Sequence, residues 1–219
     1  MKKFWIFCIV TVIGVVTMGC SMNDSKDNMD TNSSEESTIG ISDAEETAVL
    51  EVESSIVYLD EVLYYAYTAQ ATYETYYLSE GREIDWDSEM KEGVTWQQGV
   101  KSNVLDDLCR REYFYSLAEK YDVELSDSEE ESVQKAADEY FEQSSEKIIK
   151  KINIKRQRLK EVFEKQRIAQ HVEDVVNASD DNAADEMYNK WKKGNTVTAD
   201  EQWDNINFNE PIFTLEDIK

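Results

Sequence analysis

A chain of 219 residues with 47 acidic against 23 basic side chains carries a formal charge of −24. That balance sets aside nucleic acid, whose binding rests on neutralising phosphates, and adhesion of the folded part to an anionic bilayer. One histidine and three cysteines leave no His-rich metal site and no basis for a dense disulfide framework.

In chain order, Lys2 and Lys3 precede an uncharged apolar run from Phe4 to Met18. Its length fits the h-region of a secretory signal and is short for a membrane span, which needs about 18 to 20 residues. The run stops at Thr17-Met18-Gly19-Cys20, which resembles a bacterial lipobox, although Thr17 stands where leucine is usual. Cleavage before Cys20 and lipid on its thiol are therefore expected, with 1–19 as the lipoprotein signal peptide. Loss of Lys2 and Lys3 takes the formal charge from −24 to −26. Cys8 leaves with the signal and Cys20 carries lipid, so Cys109 is alone and no intramolecular disulfide can form. Residues 20–47 read as the lipidated cysteine and an acidic, disordered tether, too poor in large apolar side chains to offset the entropy of ordering. A flexible tether of this length holds the domain on the order of 30 Å from the membrane.

From Ala48 to Lys193 there is no proline and only Gly81, Gly93 and Gly99, a composition that suits long helices and short connections. VLEV (49–52) and IVYL (56–59) flank Glu53-Ser54-Ser55 as a small β-hairpin. Asp60 is placed to cap a helix over 61–79. Its stretch LYYAYTAQATYETYYL (63–78) holds six tyrosines and a single charge. At 100° per residue Val62, Ala66, Ala69 and Tyr73 share a narrow inward arc with Tyr65, Tyr76 and Tyr77 on its shoulders. Tyr64 falls on the opposite side and Tyr67 on the far flank, so both are expected at the surface. Thr95-x-x-Gln98 and Ser126-x-x-Glu129 are capping-box signatures that open the next two helices. The second helix carries Val100, Val104, Leu108, Tyr115 and Ala118 on a stripe widened by Leu105, Cys109, Phe114 and Leu117. The third carries Val133, Ala136, Ala137, Tyr140 and Phe141. A less regular piece, 144–154, leads to a fourth helix with Leu159, Val162, Phe163, Ala169, Val172 and Val176. A polar break at NASDDN (177–182) precedes a short helix ending at 194. NTVTADEQWDNINF (195–208) then reads as extended or irregular and delivers Trp203, Ile206 and Phe208. The fold class expected is mainly α, a multi-helix domain over 48–208 with a small β-hairpin and an extended C-terminal segment, followed by a tail at 209–219.

YLDEVLYYAYTAQATYETYY (58–77), the loop with Trp86, GVTWQQGVKSNVLDDL (93–108) and EYFYSLAEKYDVELSDSEEESVQKAADEYF (112–141) form one run. It is similar to the N-terminal helical domain of SurA-like and PrsA-like extracytoplasmic foldases, a trigger-factor-like chaperone architecture, especially in Gram-positive lipoproteins. YDVELSDSEEES is the most specific part, and WKKGNTVTADEQWDNINF (191–208) looks like the segment that returns to complete that domain. The resemblance spans roughly 49–208. Two departures accompany it. The connection from Val176 to Ala184 leaves no room for the parvulin-type prolyl isomerase domain found there in foldases, and Glu53-Ser54-Ser55 replaces the Asn-Gly often seen in the hairpin. The resemblance thus implies a membrane-anchored chaperone-like lipoprotein without isomerase catalysis.

The catalytic inventory is thin. His171 reads as a surface or boundary residue, and Cys109, on an apolar stripe, as a small core hydrophobe rather than a nucleophile. No phosphate loop, dinucleotide fingerprint, nucleophile elbow or HExxH helix occurs. Asp180, Asp181, Asn182 and Asp185 lack the glycine and terminal glutamate of a calcium loop and read as helix-start capping residues. No catalytic residue, metal or cofactor is expected. Six lysines and three arginines lie between Lys147 and Arg167. They read either as a solvated face pairing with Glu129, Glu130, Asp138 and Glu139, or as a cationic patch for anionic wall polymer or lipid headgroups.

The function expected is an extracytoplasmic holder of unfolded or newly exported polypeptides, anchored by lipid on Cys20 to the outer face of the cytoplasmic membrane. Tyr64, Tyr67, Trp86 and Trp96 are the candidate client contacts, since exposed aromatic rings bury varied apolar side chains while tolerating water. Trp86 and Trp96 have a second reading, as pins for the loop between the first two helices. The alternative function is a cell-surface lipoprotein that recognises one specific partner on an inherited foldase scaffold.

Overall fold

The hairpin forms where its sequence places it. In the computed structural model, which describes residue 44 and residues 46–217, β1 (Ala48–Val52) pairs antiparallel with β2 (Ser55–Tyr58). Leu50 lies opposite Val57 and Val52 opposite Ser55, with a register shift between Ala48 and Leu50. That shift lets the neighbours Val49 and Leu50 both turn inward. Glu53 makes the turn with φ 54°, the left-handed region to which asparagine or glycine is better suited. The expected signal segment, Cys20 and most of the expected tether lie outside the described residues. The tether's expected end at 47 is corrected, since Ala44 is fully buried among core residues and the Thr47 carbonyl accepts from Leu59 N–H at 2.8 Å.

Eight helices follow among the described residues, making the fold mainly α. The first, α1 (Leu59–Ser79), begins earlier than the Asp60 cap predicts. Tyr58 is the N-cap residue and offers no side-chain bond. Asp60 instead sits inside the first turn, fully buried, with Oδ1 2.8 Å from the N–H of Glu61. Glycine at 81, with φ 78°, turns the chain out of α1. Strands β3 (Glu89–Lys91) and β4 (Val94–Thr95) make a second small hairpin and lead into α2 (Trp96–Ser116). The capping box is complete there. Thr95 Oγ1 accepts from Gln98 N–H at 3.2 Å, and Thr95 N–H donates to Gln98 Oε1 at 3.0 Å.

A one-turn helix α3 (Ala118–Tyr121) ends at Asp122 and is followed by α4 (Asp127–Gln143). The Glu129 carboxylate reaches back to Ser126, accepting its N–H at 3.0 Å and its hydroxyl at 2.7 Å. The piece expected to be less regular is a capped helix, α5 (Glu146–Ile152), which Asn153 terminates at φ 55°. The long α6 (Arg156–Asn177) packs against α2 and α4, and α5 packs against α1. After α7 (Ala183–Gly194) the chain returns to the hairpin, where Asp200 N–H donates to Val49 C=O at 2.8 Å. The segment expected to be extended contains one helical turn, α8 (Glu201–Asn205), because Asp200 caps it by accepting from Gln202 N–H. No helix among the described residues is long and apolar enough to cross a membrane.

Two apolar clusters hold these elements together. The larger joins the hairpin to α1, α2, α6, α7 and the returning segment through Val57, Val62, Leu108, Phe114, Val172 and Phe208. The other joins α1 to α4, α5 and α6 through Tyr64, Ala137, Ile152, Leu159 and Phe163, and includes Ile212. Phe114 and Phe208 are fully enclosed, each contributing about 1.5–3 kcal/mol by burial. α1 lies between the clusters and contributes to both, so no residue from Leu59 to Ala71 is exposed.

Candidate functional site

The four candidate contacts do not form an open aromatic surface. Tyr64 is 5% exposed, with its ring edge-on to Tyr65, Tyr140 and Phe163 at 4.9, 5.6 and 5.9 Å. Its expected surface position is corrected by the second cluster, which covers the side of α1 opposite Val62 and Ala66. Trp86 is 6% exposed and packs edge-on against Phe208 at 4.8 Å and Tyr73 at 6.2 Å. Trp96 is half-buried against Tyr73 and Tyr77, so both tryptophans pin the loop after α1. Tyr67 is half-buried, near Phe208 at 6.4 Å and under the Lys151 ammonium at 5.1 Å. Tyr76, placed on the inward shoulder by periodicity, is 58% exposed. It lies beyond the second cluster, in the last turns of α1.

What α1 does hold is the chain's own tail. Gln70 and Glu74, four residues apart and so on one helical face, are both buried. Glu74 Oε2 accepts two successive main-chain N–H groups, Ile212 at 2.9 Å and Phe213 at 2.8 Å. Its Oε1 accepts from Gln70 Nε2 at 2.7 Å and Trp86 Nε1 at 3.4 Å. Gln70 Nε2 also donates to the Glu210 carbonyl at 2.9 Å. Either side of this grip, Phe208 N–H donates to Gln97 Oε1 at 2.6 Å and Leu215 N–H to Glu83 Oε1 at 3.0 Å. Between these points lies Pro211, the one proline of the chain. It has no N–H to satisfy and fixes its own φ.

Ile212 is buried in the second cluster with Phe213 packed beside it. The folded unit therefore extends through the tail, and the boundary expected at 208 is corrected. A pocket of about 190 Å³ opens alongside, between the tail and the loop after α1, bordered by Glu74, Trp86, Phe208, Pro211 and Phe213. Burial pushes the Glu74 carboxyl above its ordinary range, opposed by its hydrogen-bond donors.

At the other end of α1 lies a buried knot of charge. Asp60, Glu61 and Glu112 are fully enclosed. Lys165 Nζ is 3.2 Å from both Glu61 and Glu112. Arg158 reaches Asp60 at 3.3 Å and Glu61 at 3.4 Å. Ser55 Oγ donates to Glu112, and the Arg111 guanidinium lies 4.1 Å above the Tyr65 ring. Arg158 and Lys165 are thus shared among the three carboxylates, and the positive charge of Arg111 lies close enough to act on Glu61 and Glu112. Burial pushes the Glu61 carboxyl up to about 6, against the pull of Lys165.

The basic stretch is thereby accounted for in large part. Arg158 and Lys165 turn inward to this knot. Arg156 pairs with Asp138 at 2.7 Å and Arg167 with Glu129 at 3.3 Å, both on α4. Lys147 and Lys151 reach Asp217 and Glu210 of the tail at 2.5 and 3.5 Å. His171 sits at the boundary, with Nε2 3.1 Å from Glu129. Cys109 is buried, and its thiol is pushed up to about 11 by burial, which keeps it protonated near neutral pH. Asp180 Oδ1 accepts from Asn182 N–H at 2.9 Å, and Asp185 pairs with Arg110 at 2.8 Å. Among the described residues no three His, Cys, Asp or Glu side chains gather to hold a metal ion.

Sequence reading missed the Gln70–Glu74 pair and the tail it grips. One signal was present: Glu74 is the single charge in the tyrosine-rich stretch 63–78, where an isolated charge on a largely buried helix calls for a partner. Compared with protein-family models, with curated proteins and with solved structures, the chain matches none.

Proposed function

We propose that this protein is a lipid-anchored, extracytoplasmic, chaperone-like polypeptide holder that acts without isomerase catalysis. The observation that carries the reading is the seat on α1. Glu74 and Gln70 take hold of an irregular polypeptide segment by its main-chain N–H and C=O groups, while apolar side chains enter the neighbouring cluster. Main-chain capture tolerates varied side chains, whereas adjacent pockets add preference, the combination a holder of exported segments requires. The resemblance of 49–208 to SurA-like and PrsA-like helical domains supports the same reading. Cys20 would supply the anchor at the outer face of the cytoplasmic membrane.

The burial of Tyr64 and Trp86 favours a second reading, a lipoprotein that recognises one partner. A short bounded seat selects more than a long exposed aromatic groove does. Light scattering from several unrelated unfolded proteins, each mixed with near-stoichiometric amounts of this one, separates the two. Slowed aggregation of all of them is the expected result. Protection of none, by protein whose circular dichroism is helical, would transfer the assignment to the single-partner lipoprotein.

A further inference from the structure

We infer that the seat on α1 is a binding site for a bent peptide segment of the form proline followed by two large apolar residues. Residues 209–213 of the chain act as its built-in, displaceable occupant. This deepens the polypeptide-holding reading and rests on it. The ligand chemistry is read from the occupant. Two consecutive N–H groups, those of Ile212 and Phe213, converge on a single carboxylate oxygen of Glu74 at 2.9 and 2.8 Å. Successive N–H groups aimed at one point make a small anion-binding concavity. Here the peptide supplies the concavity and α1 supplies the anion. Pro211 contributes no competing donor and restricts the residue before it. The Glu210 carbonyl is then available to Gln70 Nε2. The two side chains after proline enter the second apolar cluster, Ile212 buried and Phe213 beside it.

The tail is held as a ligand is held. The main-chain N–H groups of Phe208, Ile212, Phe213 and Leu215 go to side chains of Gln97, Glu74 and Glu83, not to a strand or helix ladder. Its flanking ion pairs, Lys147–Asp217 and Lys151–Glu210, are partly exposed and contribute little to holding it. The pocket of about 190 Å³ beside Pro211 and Phe213 gives a competing segment room for entry and for larger side chains. The favoured occupant in trans is an exported polypeptide carrying this pattern. Because the tail is tethered, its effective concentration at the seat is on the order of millimolar. The apparent affinity of any competitor falls by the fraction of seats left open.

The test uses a fluorescent peptide of sequence NEPIFTL, copied from residues 209–215, and anisotropy with the full chain. Ile212→Asp combined with Phe213→Asp should release the tail and raise peptide affinity about tenfold or more. Adding Glu74→Ala to that background should abolish binding. Equal affinity for the unsubstituted and tail-released chains, or binding indifferent to Glu74→Ala, overturns the assignment. So does absence of binding by a tail-released chain that remains helical. Where the double variant fails to fold, hydrogen exchange on the unsubstituted chain decides. Saturating unlabelled peptide should accelerate exchange at the Ile212 and Phe213 amides, and unchanged exchange refutes displacement. Concentration-dependent dimerisation that protects those amides would identify a second copy's tail as the occupant instead, overturning the inference. Aggregation suppression without any NEPIFTL binding removes this seat and leaves the chaperone reading standing. Glu74-dependent peptide binding without suppression does the reverse.

Discussion

The two ends of α1 both bury carboxylates, and they satisfy them in different ways. At the N-terminal end, Asp60, Glu61 and Glu112 are met by cations from α6, at 3.2 to 3.4 Å. Both cations sit on this one helix, which is packed into both apolar clusters, so they cannot leave without unfolding the protein. Toward the C-terminal end, Glu74 is met by main-chain N–H groups of an irregular tail, which belongs to no helix and which, on the inference above, leaves without disturbing one. Burial of a charge alone therefore does not mark a functional site. The partner's freedom to depart separates a structural ion knot from a binding seat, and this difference can be tested by removing one member at each end.

The largest effect is expected at the knot. Lys165→Met keeps the apolar stem and removes the ammonium shared by Glu61 and Glu112. An uncompensated buried charge costs about 3–5 kcal/mol. Urea unfolding followed by circular dichroism should show that loss as a single cooperative shift. A loss under about 1 kcal/mol would mean that the knot is as replaceable as a surface pair. Next comes Tyr64→Ser, which empties an aromatic site ringed by Tyr65, Tyr140 and Phe163. The expected destabilisation is about 3 kcal/mol, read in the same titration. A surface Tyr64 would give almost none.

A third test reads the knot through pH. The Glu61 carboxyl ionises at about 6 in the folded chain against an ordinary 4.5. The folded state therefore keeps this proton to higher pH than the unfolded state does. Its stabilising contribution is complete below pH 4.5 and is lost as pH rises through 6, by about 2 kcal/mol in total. The carboxyls held below their ordinary range, Glu80, Glu129, Asp138 and Asp217, act with the opposite sign in a more acidic window. Unfolding midpoints between pH 4.5 and 7 should fall in the unsubstituted chain and fall less steeply in Glu61→Gln, where the Glu74 and Asp107 carboxyls, also raised by burial, supply the slope that remains. Parallel slopes would assign the titration to another group.

How much of this was legible in the sequence depends on the range over which each feature is decided. The capping boxes at Thr95–Gln98 and Ser126–Glu129 form where expected because every partner lies within three residues. The inward stripes of α2 and α6 were readable since each helix buries a dominant face, as Leu108 and Val172 show. Tyr64 was misplaced because one stripe at helical spacing presumes a single core, and α1 serves two. The knot and the seat were hidden by distance along the chain. Lys165 and Glu61 are separated by 104 positions, and Glu74 and Ile212 by 138. Nothing in the local pattern 147–167 distinguishes the inward Arg158 and Lys165 from neighbours that pair at the surface. Proline at 211 and the isolated charge at 74 were each visible, but only the fold brings them together.

The smallest global effect is expected at the seat, and there the contrast between the two ends is sharpest. Glu74→Gln preserves shape while exchanging one acceptor oxygen for an amide NH₂. Its remaining oxygen can face the Ile212 and Phe213 amides or the donors of Gln70 and Trp86, but not both pairs at once. One pair of donors is then set against a donor. Losing hydrogen bonds to a charged acceptor costs about 1.5–3 kcal/mol where the group stays buried. The tail can avoid most of that cost by detaching, so the global unfolding midpoint should move by only about 1 kcal/mol. Exchange at the Ile212 and Phe213 amides should accelerate by about tenfold, while the amides of Leu108 and Val172 keep their protection. A loss of global stability as large as that from Lys165→Met, with exchange accelerated evenly through α2 and α6, would make the tail a part of the core. The two ends of α1 would then be alike, and a departing partner could no longer be what distinguishes them.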